Sequence, residues 1–455
     1  MNLDMTDSLD ASATSELKLQ LPSGCLSIPP SIMRLHLLVR LDFSGNSALN
    51  CIPQSINSLV HLRSAFFSDC SFKVFPIELA ACPALEMVAF KNNNMTDIPE
   101  HALPKELRWL ILTNNKLTSL PHCIGHCHRL EKVMLAGNLL DSLPAEMEKC
   151  QLLTLIRISA NKFQQIPEWL LKLPRIAFIA FAGNPLTSAY NTSTVSGDLT
   201  PIGWGDLALL NRLGEGASGV ISRATWLKGP HDPQNTEPTT MEVAVKLFKG
   251  DLTSDGLPAN EMEACIAAGV HPNLVTPFAR ITGHPLETQG LVFDLIPQDY
   301  KNLGKPPSLE TCTRDVYPSD MSLSVKQVVR ILQNIANAAT VLHKRGISHG
   351  DLYAHNILYD ASGTWPRRTA LLGDFGAAFV YGSENPSAFL WERVEMLAFA
   401  FLVDDLLGIA ERGTVEEMQV VENLERLSKS CSVPVVQDRP SFSDVEKTLD
   451  QIQLP

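Results

Sequence analysis

The sequence predicts two domains in series: an α/β repeat solenoid over residues 1–190, then an α+β domain over residues 204–455. Three observations predict this. Asparagine and proline recur on one beat through the first half, a stretch rich in Ser, Thr, Asn and Gly interrupts the chain near its middle, and a glycine-rich turn followed by a lysine-bearing strand opens the second half. A chain of 455 residues exceeds one ordinary core, and its 45% hydrophobic content is ample for packed interiors.

The repeat rests on two markers in phase. Asn46, Asn93, Asn115, Asn138, Asn161 and Asn184 each close a pattern L-x-x-L-x-L-x-x-N-x-L or a near copy, with gaps of 22, 23, 23 and 23 residues after Asn93. Cys70 takes the place between Asn46 and Asn93. Pro53, Pro76, Pro99, Pro121, Pro144 and Pro167, each preceded by Ile, Phe or Leu, keep the same spacing. This is the signature of leucine-rich repeats. Each unit is expected to form a short strand and a turn bonded by asparagine, with the leucines of stacked units buried as one continuous core. Leu17–Leu37 reads as a degenerate N-terminal cap.

Counting back six and four residues from each asparagine places side chains on the concave face. Phe66, Met87, Trp109, Ile111, Met134, Leu155 and Phe178 then form an apolar patch, and such patches tend to bind partners. The plainer alternative is that some of them pack on one another or on the second domain. The Thr187–Thr200 stretch reads as a linker, taken as 191–203, with the next domain starting near Trp204.

Composition narrows the function. A formal charge of -12 and a pI of about 5.5 argue against broad contact with nucleic-acid phosphates. The first residues carry acids and no apolar run, unlike a secretory signal. No segment approaches the roughly 20 apolar residues that cross a bilayer; the best candidate, Leu397–Ala410, is broken by Asp404 and Asp405. The ten cysteines include no C-x-x-C pair, and small buried thiols in a reduced, cytoplasmic protein are expected.

The second half carries the chemistry. Leu213–Val220 reads as a G-x-G-x-x-G-x-V turn, with Gly214, Gly216, Gly219 and Val220 marked as nucleotide-binding positions. Val243–Phe248 is an alternating strand with Lys246 inside it, and a buried lysine needs an anion. The following helix offers Glu261 or Glu263 as its partner; Glu261 is favoured and the spacing leaves both open. His349–Leu358 and Leu372–Gly376 follow, carrying Asp351, Asn356 and Asp374.

In this order the motifs resemble the catalytic set of protein kinases. With the repeats, the whole resembles a leucine-rich-repeat protein kinase with a divergent two-lobed kinase domain. The resemblance extends to Leu291–Leu295 as the hinge strand and to Asp438–Phe442 near the end. It implies a serine/threonine kinase using ATP and Mg2+ in signalling. Lys246 would neutralise phosphate, Asn356 and Asp374 would ligate magnesium, and Asp351 would take the acceptor proton. The repeats would select a protein partner or substrate.

Four departures bear on that implication. Gly350 stands where the family has arginine, which removes the usual receiver of a phosphorylated activation segment. Tyr353 stands where lysine usually faces the γ-phosphate; His355 is a candidate substitute, or packs beneath the loop. The His349–Leu352 wording also resembles aminoglycoside-phosphotransferase-type kinases, which act on small molecules. No A-P-E motif follows Asp374, and Glu395, in the place of the aspartate that begins the next helix, comes only 21 positions later. Glu392 is the candidate partner of Arg439. These departures keep two alternatives in view, a nucleotide-binding scaffold without turnover and a small-molecule kinase. Plant receptor-like kinases share the order of modules but carry a membrane span between them.

Overall fold

The computed structural model describes residues 14–187, 199–228, 240–362, 369–382, 384 and 387–454. They divide into two compact units. The first runs to Ile176 and includes Asn184–Leu186; the second comprises Ala177–Gly183 and the chain from Thr187 onward. Ala177–Gly183 thus groups with the second unit although it precedes residue 190.

In the first unit, strands β1 (Glu16–Lys18), β2 (Arg40–Asp42), β3 (Ser64–Phe66), β4 (Met87–Ala89), β5 (Trp109–Ile111), β6 (Lys132–Met134) and β7 (Leu155–Arg157) pair in parallel, each with the next. The central residue of each is buried, Leu41, Ala65, Val88, Leu110, Val133 and Ile156 among them. Proline sets the extended residue that begins several 3-10 turns, as Pro53, Pro121 and Pro144 do. Inside, Phe43, Phe67 and Phe90 stack in series, and Phe72 and Phe75 pack on Phe90.

The asparagines work as backbone substitutes. Asn115 Nδ2 donates to the carbonyls of Phe90 at 2.8 Å and Leu112 at 2.9 Å, while its Oδ1 accepts from Met95 N at 3.0 Å. Asn138 and Asn161 repeat the pattern one and two turns on. One side chain thus satisfies backbone groups of successive turns that would otherwise be buried without partners. Cys70 supplies a weaker thiol contact to the Phe43 carbonyl at 3.4 Å. All ten cysteines are free. Burial pushes the Cys70 and Cys82 thiols up to about 11 and Cys127 up to about 12, so they remain protonated packing groups.

The residue before each closing position adopts positive φ: Gly45, Asp69, Asn92, Asn114, Gly137, Ala160 and Gly183. Ala160, at φ 52°, has neither glycine's freedom nor an Asn side chain to offset the strain. Ala160→Gly is expected to stabilise the protein by about 0.5–1 kcal/mol, the left-handed penalty less glycine's greater unfolded-state entropy. A urea midpoint unchanged or lowered by the substitution would count against this.

The second unit holds β8 (Phe178–Ala180) and a six-stranded sheet. Its order is β10 (Leu207–Glu215), β11 (Gly219–Trp226), β12 (Met241–Phe248), β14 (Gly290–Asp294), β13 (Pro277–Thr282), β9 (Thr200–Gly203). Of the expected linker, 191–198 lies outside the described residues. Thr200–Gly203 within it is instead a strand, paired in parallel with β13, where Ile202 adds to the apolar face of Val243, Val245 and Val292.

Helix α1 (Pro258–Ala268) belongs to this sheet's half. The other half contains α2 (Val325–Lys344), α3 (Ala388–Gly408), α4 (Val415–Cys431) and α5 (Phe442–Asp450). Capping boxes at Ser324–Gln327, Thr414–Glu417 and Ser441–Asp444 fix the starts of α2, α4 and α5. Two small sheets lie here: β15 (Tyr300–Asn302), β17 (Ile357–Asp360) and β18 (Ala370–Leu372) in one, β16 (Ile347–Ser348) and β19 (Phe379–Val380) in the other. Among the described residues no helix is long and apolar enough to cross a membrane.

Candidate active site

Alternation in β12 sends Val243 and Val245 into the sheet's apolar core and leaves Ala244 and Lys246 on the opposite face. There they line a cavity of about 610 Å3, within the size range of small-molecule sites. Lys246 forms an ion pair with Glu261, the two side chains being 13% and 2% exposed. Pro258 starts α1 and places Glu261 in its first turn, where the helix dipole favours an acid. Burial opposes the Lys246 ammonium, yet the adjacent Glu261 carboxylate, helped by Asp374, holds its pKa above that of ordinary lysine. Glu263 lies exposed on the same helix and accepts from Asn260 Nδ2 at 3.3 Å, so the choice between the two glutamates falls to Glu261.

The glycine-rich turn joins β10 to β11. Gly219 is required by close approach: a Cβ there would stand 2.6 Å from the Leu247 carbonyl oxygen. Gly216 is tied to Gly219 by a backbone bond of 3.0 Å, and Lys249 Nζ donates to the Gly216 carbonyl at 3.1 Å. Gly216 and Gly219 line the cavity, whereas Gly214 and Val220 do not. The apolar residue facing inward is Ile221, paired with Lys246 across the strands, because neighbouring strand residues point to opposite faces. Ile221 is also the residue that completes the G-x-G-x-x-G-x-V spacing begun at Gly214. Gly214 lies on the outer strand, opposite Ile221.

Across the cavity stand Asn356 and Asp374. Asn356 Nδ2 donates to the Asp351 carboxylate at 3.0 Å and to the Asp351 carbonyl at 2.9 Å, fixing the loop between them. Asp374 is exposed at φ 55°, with its Oδ1 accepting from Gly376 N at 3.1 Å. Such backbone strain at a non-glycine residue is a feature of functional sites. His349, fully buried, bonds the Gly373 carbonyl through Nε2 at 2.9 Å, and its ring packs 5.3 Å from that of Phe375.

Tyr353 does not take lysine's role. It is buried, with its ring stacked on Phe178 at 3.9 Å and 9°. His355 lines the cavity instead, held by Asp315, which accepts from its Nδ1 at 2.8 Å and its backbone N at 3.2 Å. Burial works against a charged His355, but the Asp315 hydrogen bond and the charges of Asp351, Asp315 and Asp374 bring its pKa above the ordinary value. Asn302 also lines the cavity and donates to the His355 carbonyl at 2.6 Å. Neither Asp315 nor Asn302 belongs to a motif, and only the fold brings them here.

Glu395 sits within α3, 1% exposed. It accepts from His343 Nε2 at 2.7 Å, Ser348 Oγ at 3.3 Å, His349 N at 3.3 Å and Gly350 N at 2.6 Å. It thereby anchors the strand and turn leading into Asp351. Glu392 accepts from Phe442 N at 2.8 Å and pairs with Arg393; Arg439 donates to the carbonyls of Val433 and Arg393.

The proposed apolar patch is only partly as expected. Phe66, Trp109, Ile111 and Met134 are half-buried, and Lys132 Nζ lies 4.1 Å from the Trp109 ring centroid. Met87, Leu155 and Phe178 are buried at 5%, 2% and 1% exposure, which corrects their assignment to an open face. The close ladder places Met87 between Ser64 and Trp109 and Leu155 beside Lys132, and Phe178 is covered by Tyr353.

Residues 207–387 match the family described as protein tyrosine and serine/threonine kinase. The chain is 28% identical over 176 residues to serine/threonine-protein kinase PITSLRE of Drosophila melanogaster, covering 38% of this chain and 16% of that protein. It is 31% identical over 176 residues to probable serine/threonine-protein kinase gdt4 of Dictyostelium discoideum, covering 38% and 9%. It is 29% identical over 185 residues to cyclin-dependent kinase 2 of Caenorhabditis elegans, covering 40% and 43%. The chain thus spans less than half the length of each of these relatives. Within it lies a protein kinase domain with serine/threonine-kinase homologues.

Proposed function

We propose that the kinase domain transfers the γ-phosphoryl group of ATP, with Mg2+, to a serine or threonine hydroxyl of a protein. The observation that carries this is the Lys246–Glu261 ion pair facing Asn356 and Asp374 across one cavity. Gly216 and Gly219 would admit the phosphates close to the backbone, and Lys246 would neutralise their charge. The residues present suit a hard cation: Asn356 Nδ2 is engaged by Asp351, so Asn356 Oδ1 and an Asp374 carboxylate oxygen would be the donors offered to magnesium. Bound there, magnesium would offset charge on the phosphate oxygens. Asp351, oriented by Asn356, would accept the acceptor hydroxyl's proton, and alignment would supply most of the rate.

The first unit is proposed to be a leucine-rich-repeat solenoid that selects a protein partner. The asparagine ladder and in-register parallel strands support it, and Phe66, Trp109, Ile111 and Met134 remain as its apolar contact surface. Retention of proteins by wild type but not by Trp109→Asp with Ile111→Asp supports this role; identical retention ends it. Ten free cysteines suit a reducing, cytoplasmic setting.

The test of phosphotransfer is radiolabelled Mg-ATP with the full chain and a mixed protein panel. Equal labelling by wild type, Lys246→Ala and Asp351→Asn would refute the assigned site. One observation favours a second reading, a nucleotide-binding scaffold: buried Tyr353 brings no ammonium to the place where the family has lysine. Thermal stabilisation by Mg-ATP with no label transferred to any protein would select that reading.

A further inference from the structure

The segment Ala177–Gly183 lies N-terminal to the kinase match at 207–387, yet it packs as part of the second unit. Phe178, Ile179 and Phe181 are buried at 1%, 2% and 1% exposure. The Phe178 ring lies on Tyr353 at 3.9 Å and near Phe401 at 6.3 Å. Phe181 packs 6.1 Å from Phe379 in β19 and 6.4 Å from Trp391 in α3. One short segment, the strand and the residue after it, therefore touches the loop that carries Asp351, the segment that follows Asp374, and the helix that carries Glu395.

Gly350 ties these contacts to the sequence. It adopts φ 71°, and a Cβ there would stand 2.4 Å from the Ile179 carbonyl oxygen and 2.7 Å from that of Ala377. Both obstacles are backbone, so no side chain is accommodated without moving the loop. The place where the family has arginine is thus closed off by β8. Tyr353, under the Phe178 ring, is bonded back to the Asp351 carbonyl through its backbone N at 2.8 Å. Tyr353 is thus tied directly to Asp351 through the backbone.

We infer that Ala177–Gly183 is a built-in brace of the catalytic loop, and that Phe178 is a positioning residue acting on Asp351 through Tyr353. The brace holds the loop and the segment after Asp374 by apolar packing, without a phosphate–arginine pair. Its consequence for turnover rests on the kinase activity proposed above; its effect on loop order does not.

The test compares full-length wild type, Phe178→Ala and Phe178→Leu by amide hydrogen exchange and by Mg-ATP turnover. In Phe178→Ala, exchange across 350–356 and 377–381 is expected to rise about tenfold, because these segments lose their cover. The same variant is expected to lose about tenfold in kcat with KM for ATP changed less than about twofold, since misplacing Asp351 leaves the nucleotide contacts intact. Phe178→Leu, which keeps apolar bulk, should retain most of the protection. Leu110→Ala, in the core of the first unit, should lower the thermal midpoint without raising exchange at 350–356. Protection at 350–356 and 377–381 equal to wild type in Phe178→Ala would overturn the brace, whatever the turnover. An exchange response in a protein with no turnover would uphold the brace and dismiss the kinase activity instead.

Discussion

Asp351→Asn is expected to reduce phosphotransfer by about 10²–10⁴-fold, the usual contribution of a positioned general base. An amide is close in size to the carboxylate and still accepts the Asn356 Nδ2 hydrogen bond, so the loop should keep its shape. What it lacks is the basic oxygen. The effect should therefore fall on kcat, with KM for ATP nearly unchanged, because in the proposed site Lys246 and the glycine-rich turn would hold the nucleotide independently. Lys246→Ala should differ by weakening nucleotide binding as well, since it removes the cation paired with Glu261 and leaves that carboxylate buried alone. If Asp351→Asn retained the wild-type rate, another group would have to receive the proton, and the assignment of Asp351 would fail.

Glu395→Ala should produce the largest change in stability, a loss of about 3–5 kcal/mol, because it removes a buried carboxylate that serves four buried donors at once. Its carboxylate satisfies two backbone amides, a serine hydroxyl and an imidazole, all buried. Removing it strands those donors at about 1–3 kcal/mol each where water cannot replace it. The pH dependence has a definite sign. Burial alone would raise the Glu395 pKa, but the His343 hydrogen bond and charge, with His349 and the Gly350 N–H, bring it below the ordinary 4.5. A depressed carboxylate pKa contributes stability that is present above the unfolded value and lost as pH falls through the folded value. The difference in unfolding free energy between wild type and Glu395→Gln should therefore be greatest near pH 7 and shrink below about pH 4. A difference that grows on acidification would contradict the assigned ionisation.

Much of the arrangement was legible before any coordinates. The two-marker repeat marked a series of parallel strands because stacking needs leucine, asparagine and proline at fixed places in each turn. The glycine-rich turn, Lys246, Asp351, Asn356 and Asp374 stood in an order that phosphate chemistry accounts for. The partner of Lys246 was narrowed to Glu261, which was favoured, or Glu263, since either could lie on the helix after the lysine strand. After Gly219 the cavity-lining residue is Ile221 and not Val220, since in a strand one position reverses the face.

Sequence by itself determined the local units and the chemical groups they bring, because periodicity, turn residues and motif spacing are properties of short stretches of chain. Tertiary structure alone decided that Ala177–Gly183 belongs with the unit that holds the kinase domain, that Phe178 is covered by Tyr353, and that Asp315 holds His355. Those pairings join residues far apart in the chain. Their selection depends on which buried surfaces and hydrogen-bonding groups fit together in space, and no local pattern records that fit.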